Sequence, residues 1–144
     1  MKNIGTRCFI LMMAVAFSAG CMGLHNIKVT TNKVIFEKEA CKTEIYTKEN
    51  NSLRLSPYSV KEDDIEPWFK YIIEYEETSS DTDRYDVPIV SCRGKWLKVT
   101  LMEDRTGVII NVTENDTGRE RTGQISIGDY GDGQATIKIR QKGV

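Results

Sequence analysis

Hydrophobic and polar residues alternate along the last third of the chain, as where Leu97 and Val99 flank Lys98. This period of two is typical of a β-strand that buries one face and exposes the other. The same alternation recurs in three later segments. The same-face residues, which we predict form the core between two sheets, are Leu97, Val99, Val108, Ile110, Val112, Ile125, Ile127, Ile137 and Ile139.

Turn-forming residues separate these alternating segments. Arg93-Gly94 precedes the first, Asn115-Asp116-Thr117-Gly118 follows the second, and Asp132-Gly133 is a strong signal for a tight hairpin. Strands that recur roughly every 10 to 15 residues, with no helical period between them, are typical of an all-β fold. The pattern therefore predicts an antiparallel β-sandwich.

The first half of the chain shows the same signal in shorter pieces. Strand-like patterns cover 27–29, 34–36, 43–47 and 53–55. The middle segment, 56–86, is different. It begins with a charged stretch, continues with an aromatic strand, and ends in a polar loop.

Within that aromatic strand, a period of two separates the aromatic residues into two faces. It predicts that Phe69, Tyr71, Ile73 and Tyr75 share an inward face and that Trp68 lies on the opposite face. The charged stretch 61–67 and the polar residues 76–86 are predicted to be solvated loops.

The N-terminus has the organisation of an export signal. Lys2 and Arg7 precede an apolar run at 9–17, and small residues at 18–20 lead to Cys21. The run is too short for a spanning helix, which needs about 20 apolar residues. A cysteine after small residues is similar to the signal of bacterial lipoproteins. We therefore expect residues 1–20 to be a signal peptide and Cys21 to be the acylated (palmitate-bearing) N-terminus of a lipoprotein.

The remaining chain divides into a tether at 21–26 and one domain at 27–144, long enough to bury its own core. A lipid-anchored protein of this kind is expected at the outer membrane of the cell envelope, on either the periplasmic or the surface face. Without Lys2 and Arg7, 18 basic and 21 acidic residues remain. The chain has no basic stripe to hold a phosphate backbone, which argues against a nucleic-acid partner.

Two cysteines, Cys41 and Cys92, remain in the predicted domain. In an oxidising compartment they either form a disulfide bond or are buried as two separate thiols. Together with the single His25 they lack the spacing of zinc ligands, so no metal and no cofactor is predicted.

The stretch from Trp96 to Gly143 resembles the BACON (Bacteroidetes-associated carbohydrate-binding often N-terminal) domain family. The resemblance rests on the Trp-led strand at 96–99, the segments 112–118 and 120–125, and the final 137–143. Asn115, Arg121 and Gln141 lie where the family has its Asn, Arg and Gln. From the residues themselves, they are turn and strand-pairing positions rather than ligand contacts. The segment near 56–86 departs from the family and resembles a central insertion.

This resemblance implies an immunoglobulin-like β-sandwich and carbohydrate binding. We expect a non-enzymatic binding or scaffolding module, with glycans or other envelope proteins as partners. The alternative is a purely structural spacer or accessory lipoprotein. Sugar sites place aromatic faces beside polar groups, so the candidate ligand-binding residues in the insertion are Trp68, Tyr75, Asp81 and Asp83. Burial of both Trp68 and Trp96 would leave such a site without a platform.

Catalytic chemistry has little support in the sequence. His25 lies close to the predicted anchor, where it cannot serve as the base of a triad. The carboxylates alone leave open a less favoured reading as a hydrolase or an enzyme inhibitor. They lie in segments predicted to be solvated, whereas general acid–base groups need a partly desolvated site.

Overall fold

The computed structural model describes residues 26–49, 52–77 and 87–144, together with the backbone of one strand at 10–12. Throughout these residues the regular elements are strands, and no helix is long and apolar enough to span a bilayer. The strands are β1 (Ile10–Met12), β2 (Lys33–Phe36), β3 (Cys41–Tyr46), β4 (Val60–Glu62), β5 (Ile72–Tyr75), β6 (Ile89–Arg93), β7 (Leu97–Leu101), β8 (Gly107–Val112), β9 (Arg121–Gly128) and β10 (Gln134–Gln141).

The strands form two five-stranded sheets. The first sheet has the order β1-β2-β10-β9-β4, and the second has the order β3-β8-β7-β6-β5. All pairings are antiparallel except that of β2 with β10, where Lys33 lies opposite Lys138. The predicted all-β sandwich is confirmed, with one parallel pair that the local pattern did not predict.

The core lies between the sheets and contains every residue that the alternation predicted. Leu97, Val99, Val108, Ile110, Ile125 and Ile137 are completely buried, and Val112, Ile127 and Ile139 are nearly so. The first half of the chain adds further core residues, among them Phe36, Ile45 and Leu53. Because successive side chains in a strand point to opposite faces, the period of two identifies the residues of these strands that face the core.

The central segment is more regular than predicted. Residues Val60–Glu62 form β4, which pairs with β9 at the edge of the first sheet. Ile72–Tyr75 form β5, which pairs with β6 at the edge of the second. The prediction of a charged loop over the whole of 61–67 is therefore wrong at its start. The segment from Val60 to Tyr75 therefore contributes one strand to each sheet and joins their two edges.

Two predicted strands are reduced to single bridges. Val29 pairs with Thr47, and Arg54 pairs with Gly128, but neither segment extends further along its neighbour. Their apolar residues are nevertheless buried, including Ile27, Leu53 and Leu55. These segments therefore close the ends of the sandwich without lengthening its sheets. Conversely, β1 lies within the predicted signal peptide, where no strand was expected.

Candidate functional site

The two tryptophans occupy opposite environments. Trp96 is 7% exposed and belongs to the core, whereas Trp68 is 75% exposed. A large aromatic ring left in solvent loses the hydrophobic stabilisation that burial would give, so such a ring is a candidate contact for a ligand or partner. A sugar site needs at least one of the two tryptophans exposed as a platform, and Trp68 meets that requirement.

The loop that carries Trp68 is braced on both sides. The Phe69 N–H donates to the Glu66 carbonyl at 3.0 Å. Lys95 forms an ion pair with Glu66, and its Nζ lies 5.5 Å from the Phe69 ring centroid. The Phe69 ring also packs edge-on against Tyr71, with centroids 5.4 Å apart. These contacts fix the chain on either side of Trp68, so the loop backbone that presents the indole loses little conformational entropy on binding.

The other candidate ligand-binding residues are Tyr75, Asp81 and Asp83. Tyr75 is 51% exposed, and Ile72 on the same edge strand is 47% exposed. Asp81 and Asp83 lie outside the described residues. The carboxylate of Glu76, next to Tyr75, forms an ion pair with Arg105 at 3.5 Å.

The predicted inward face of the aromatic strand is only partly correct. Phe69, Tyr71 and Ile73 are half-buried, and Trp68 is on the exposed side as predicted. Tyr75 is exposed instead, on the edge strand of the second sheet. The register of β5 against β6 shifts at this point, because β6 contributes an extra residue, Val90, between the partners of Glu74 and Tyr75.

A buried carboxylate that the sequence reading missed lies beside this loop. Glu62 at the end of β4 is 3% exposed. Its Oε1 accepts the Lys95 N–H and its Oε2 accepts the Trp96 N–H at 3.1 Å. The Glu62 N–H in turn donates to the Tyr71 hydroxyl at 3.0 Å. Glu62 therefore holds the β6–β7 hairpin of the second sheet against the edge of the first.

The surroundings of Glu62 explain its protonation behaviour. Burial raises the pKa of the Glu62 carboxyl, and the backbone N–H groups of Trp96 and Lys95 oppose that rise. Room for the carboxylate exists because Gly94 has no side chain: a Cβ there would lie 1.4 Å from Oε1. One local signal points to the burial of Glu62. In a strand, residues two apart share a face, so Glu62 lies on the same face as the buried Val60, and Lys61 lies on the other.

The three polar residues that carry the family resemblance hold the backbone together. Gln141 is fully buried and donates to the carbonyls of Thr113 and Lys38. Its Oε1 accepts the Arg121 Nε–H at 2.8 Å, and the Arg121 guanidinium lies 4.7 Å from the Trp96 ring centroid. Asn115, also buried, donates to the carbonyls of Arg119 and Lys142. All three side chains therefore bond to the backbone or to one another, as turn and strand-pairing residues do.

Of the two predicted alternatives for Cys41 and Cys92, the disulfide bond between them does not form. Cys92 is a free, fully buried thiol. The Cys41–Cys92 bond is therefore absent. The Cys92 thiol contacts the Ser56 carbonyl at 3.2 Å, and burial raises its pKa to about 11. A thiol held in its protonated form is a poor nucleophile and a poor metal ligand. Among the described residues, no three His, Cys, Asp or Glu side chains are grouped as metal ligands.

Comparison with known proteins finds likeness at the level of fold. No protein-family model matches the chain, and no curated protein matches it. A protein from Bacteroides thetaiotaomicron, solved by NMR, superposes with a TM-score of 0.54 at 18% sequence identity. The match covers 90% of this chain and 96% of that protein. At this identity the two chains share an architecture, and nothing about activity follows from it.

A second solved structure matches more weakly. It is the GH5 xyloglucanase of Bacteroides ovatus in complex with a XXXG heptasaccharide, with a TM-score of 0.41 at 19% identity. The match covers 77% of this chain and 17% of the xyloglucanase. At this TM-score the likeness implies nothing further. The comparisons therefore agree with the β-sandwich fold and assign no family.

Proposed function

We propose that this protein is a lipid-anchored, non-enzymatic module of the cell envelope that binds glycans through the exposed face of Trp68. The observation that carries the proposal is the contrast between Trp68 at 75% exposure and Trp96 at 7%. Aromatic rings present a flat π-face to which the C–H groups of a pyranose ring can stack, and the indole N–H adds a donor for hydroxyls.

The arrangement around Trp68 supports binding without turnover. Its neighbours Phe69 and Lys95 are engaged in holding the loop. The nearby buried carboxylate, Glu62, uses both oxygens to accept backbone N–H groups. A general acid or base must instead reach a substrate proton. The loop therefore offers a contact surface, while the buried carboxylate of Glu62 is occupied by hydrogen bonds that hold the fold.

The anchor half of the proposal rests on the N-terminal sequence, with Cys21 as the acylated residue. Burial of acyl chains contributes about 0.8 kcal/mol per CH₂, so two or more chains hold a protein stably at a bilayer. Cleavage before Cys21 would remove β1, and the first sheet would then have the order β2-β10-β9-β4. With the anchor supplying membrane attachment, the sandwich surface is left available for other partners.

A glycan array tests the binding half. The protein purified from membranes is compared with Trp68→Ala and with Tyr46→Ala, a matched control. Tyr46 is a 40% exposed aromatic on β3, which is the opposite edge strand of the second sheet. We expect binding to selected glycans that Trp68→Ala abolishes and Tyr46→Ala preserves. Wild-type protein that binds nothing on the array would favour the spacer role instead.

A further inference from the structure

A polar cleft lies at the other end of β9 from the braced Trp68 loop. That loop is tied to Lys95 and hence to Glu62, which pairs with Gly123 near the start of β9. The cleft instead lies at Gly128, where β9 ends and the hairpin to β10 begins. It has a volume of about 350 Å³ and lies between the segment 54–58 and that hairpin.

Both walls of the cleft are held by hydrogen bonds. Arg54 and Gly128 exchange backbone hydrogen bonds at 2.8 and 3.1 Å. On the hairpin side, the Asp129 carboxylate accepts the N–H groups of Gly131 and Gly133 at 2.8 and 3.0 Å. This bracing defines the hairpin without a ligand.

The opposite wall is fixed in the same way. The Ser56 N–H donates to the Ser59 hydroxyl at 2.8 Å, and the Tyr58 N–H donates to the Ser56 hydroxyl at 3.2 Å. The Ser126 N–H donates to the Ser59 carbonyl at 2.8 Å and joins this turn to β9. A cleft with two fixed walls is preformed, as small-molecule sites usually are.

One exposed tyrosine lines this cleft, and a second lies beside it in the hairpin. Tyr58, part of its lining, is 85% exposed. Tyr130 is 59% exposed, and the guanidinium carbons of Arg54 and Arg105 lie 5.9 and 5.8 Å from its ring centroid. These cation–π contacts hold the Tyr130 ring in place and leave part of it open to solvent. The cleft thus combines aromatic surface with a polar lining.

The charges around the cleft decide the class of ligand. Arg54 contributes a positive charge to the lining, while Asp129 and Asp132 contribute negative charges. Arg105 is already paired with Glu76. With both signs present, a ligand of either net charge meets repulsion from one set of groups. A neutral polyhydroxylated molecule instead finds donors in Arg54 and Gln134 and acceptors in the carboxylates.

We infer that this hairpin cleft is a second binding site, for a neutral saccharide of one or two pyranose units. Ligand pockets range over about 300–1,000 Å³, so a cleft of about 350 Å³ suits a small ligand or the end of a longer glycan. The inference goes beyond the proposed function because it assigns a separate site with its own residues. Either site can bind a saccharide without the other, so a negative result at one leaves the other unaffected.

An NMR titration of isotope-labelled protein, purified from membranes into detergent micelles, tests the inference. The probes are glucose, galactose, mannose, xylose and cellobiose, with glucuronic acid and glucosamine as charged comparisons. We expect a neutral probe to shift the amide signals of Ser126, Gly133 and Gln134 in a saturable way. The Trp68 indole N–H signal reports separately on the proposed Trp68 site.

Variants then assign the contacts. Tyr58→Ala and, as a second variant, Gln134→Ala should each weaken saccharide binding at the cleft by about tenfold or more. Both residues are exposed, so loss of fold is not expected, and Tyr46→Ala and Trp68→Ala should leave cleft binding unchanged. Amide shifts that disappear in the cleft variants alone would support the second site even if Trp68 binds nothing.

Several results would overturn the inference. Saccharides that shift only the Trp68 indole signal would leave the proposed function standing and remove the second site. Shifts at the cleft that persist in both Tyr58→Ala and Gln134→Ala would remove it as well. Binding of glucuronic acid or glucosamine but of no neutral sugar would show that the ligand class is wrong. If no probe shifts any signal, the second site is refuted.

Discussion

The carboxylate of Glu62 on β4 accepts the backbone N–H of Trp96 at 3.1 Å, and this bond connects the two sheets of the sandwich. Strand β4 belongs to the edge of the first sheet, and Trp96 lies in the hairpin that joins β6 to β7 in the second. Polar side chains that satisfy buried backbone groups are costly to remove, because their partners are left without hydrogen bonds.

Replacing Glu62 should destabilise the protein. Glu62→Ala leaves the N–H groups of Lys95 and Trp96 without their acceptor, and each unsatisfied buried group costs about 1–3 kcal/mol. The matched control is Glu66→Ala, which removes an exposed ion pair with Lys95 worth at most about 1 kcal/mol. Urea unfolding measures both. Equal losses in the two variants would contradict the role of Glu62.

The same carboxylate should give stability a specific pH dependence. Burial raises the pKa of folded Glu62 above its ordinary 4.5, so the folded state binds the proton more tightly than the unfolded state. Its contribution is fully present below about pH 4.5 and is lost as pH rises through the folded pKa.

Comparison with Glu62→Gln isolates this contribution. The pKa values of Glu66 and Asp104 are lowered by hydrogen bonds from Lys95 and Thr106, and their opposite effect is present in both proteins. We therefore expect the free energy of unfolding of wild type, minus that of Glu62→Gln, to fall as pH rises above about 4.5. Urea unfolding at a series of pH values measures the difference. A flat or rising difference would show that burial does not raise this pKa.

Ile110 tests the predicted core. Its side chain is completely buried on β8, so Ile110→Ala should lower the free energy of unfolding by roughly 2–5 kcal/mol. Ile109→Ala is the matched control, because the same side chain on the opposite face of the strand is only half-buried. The control should lose clearly less stability in urea unfolding. A similar loss at both positions would mean that the two faces of β8 are not distinct.

The Cys92 thiol should be inert in the folded protein. Burial raises its pKa to about 11 and excludes reagents, so a disulfide reagent at pH 8 should label it only after unfolding in urea. Cys92→Ala serves as the control and should remove the signal that unfolding releases. Rapid labelling of the native protein at Cys92 would contradict its burial.

Anchoring should depend on Cys21 alone among the N-terminal cysteines. Cys21→Ala should abolish acylation and leave the protein unanchored. Cys8 lies in the predicted signal peptide, so Cys8→Ala should leave acylation and anchoring unchanged. Mass spectrometry of membrane-extracted protein should find an acylated Cys21 as the N-terminus. An unprocessed Met1, or an unmodified later residue, would refute the lipoprotein prediction.

The sequence by itself determined the β-sandwich and the part of its core that β7 to β10 supply. In β7 to β10 each side chain faces either inward or outward, and that choice is written locally as a period of two. Val99 and Ile137 could therefore be assigned without knowledge of their neighbours. Trp68 also lies on the side opposite Phe69 and Tyr71, as predicted, although it sits in a turn before β5 rather than in the strand that the pattern predicted.

Tertiary structure decided what depends on contacts between distant segments. Glu62 lies in a charged run that predicts solvation. It is nevertheless buried, because β4 pairs with β9 and because Gly94, in the β6–β7 hairpin of the other sheet, leaves space for its carboxylate. Likewise, only the assembled fold set β2 parallel to β10 and left Cys92 as a free, buried thiol. Local alternation reports the face of a strand but not its partner, since pairing depends on segments that meet only when the chain has folded.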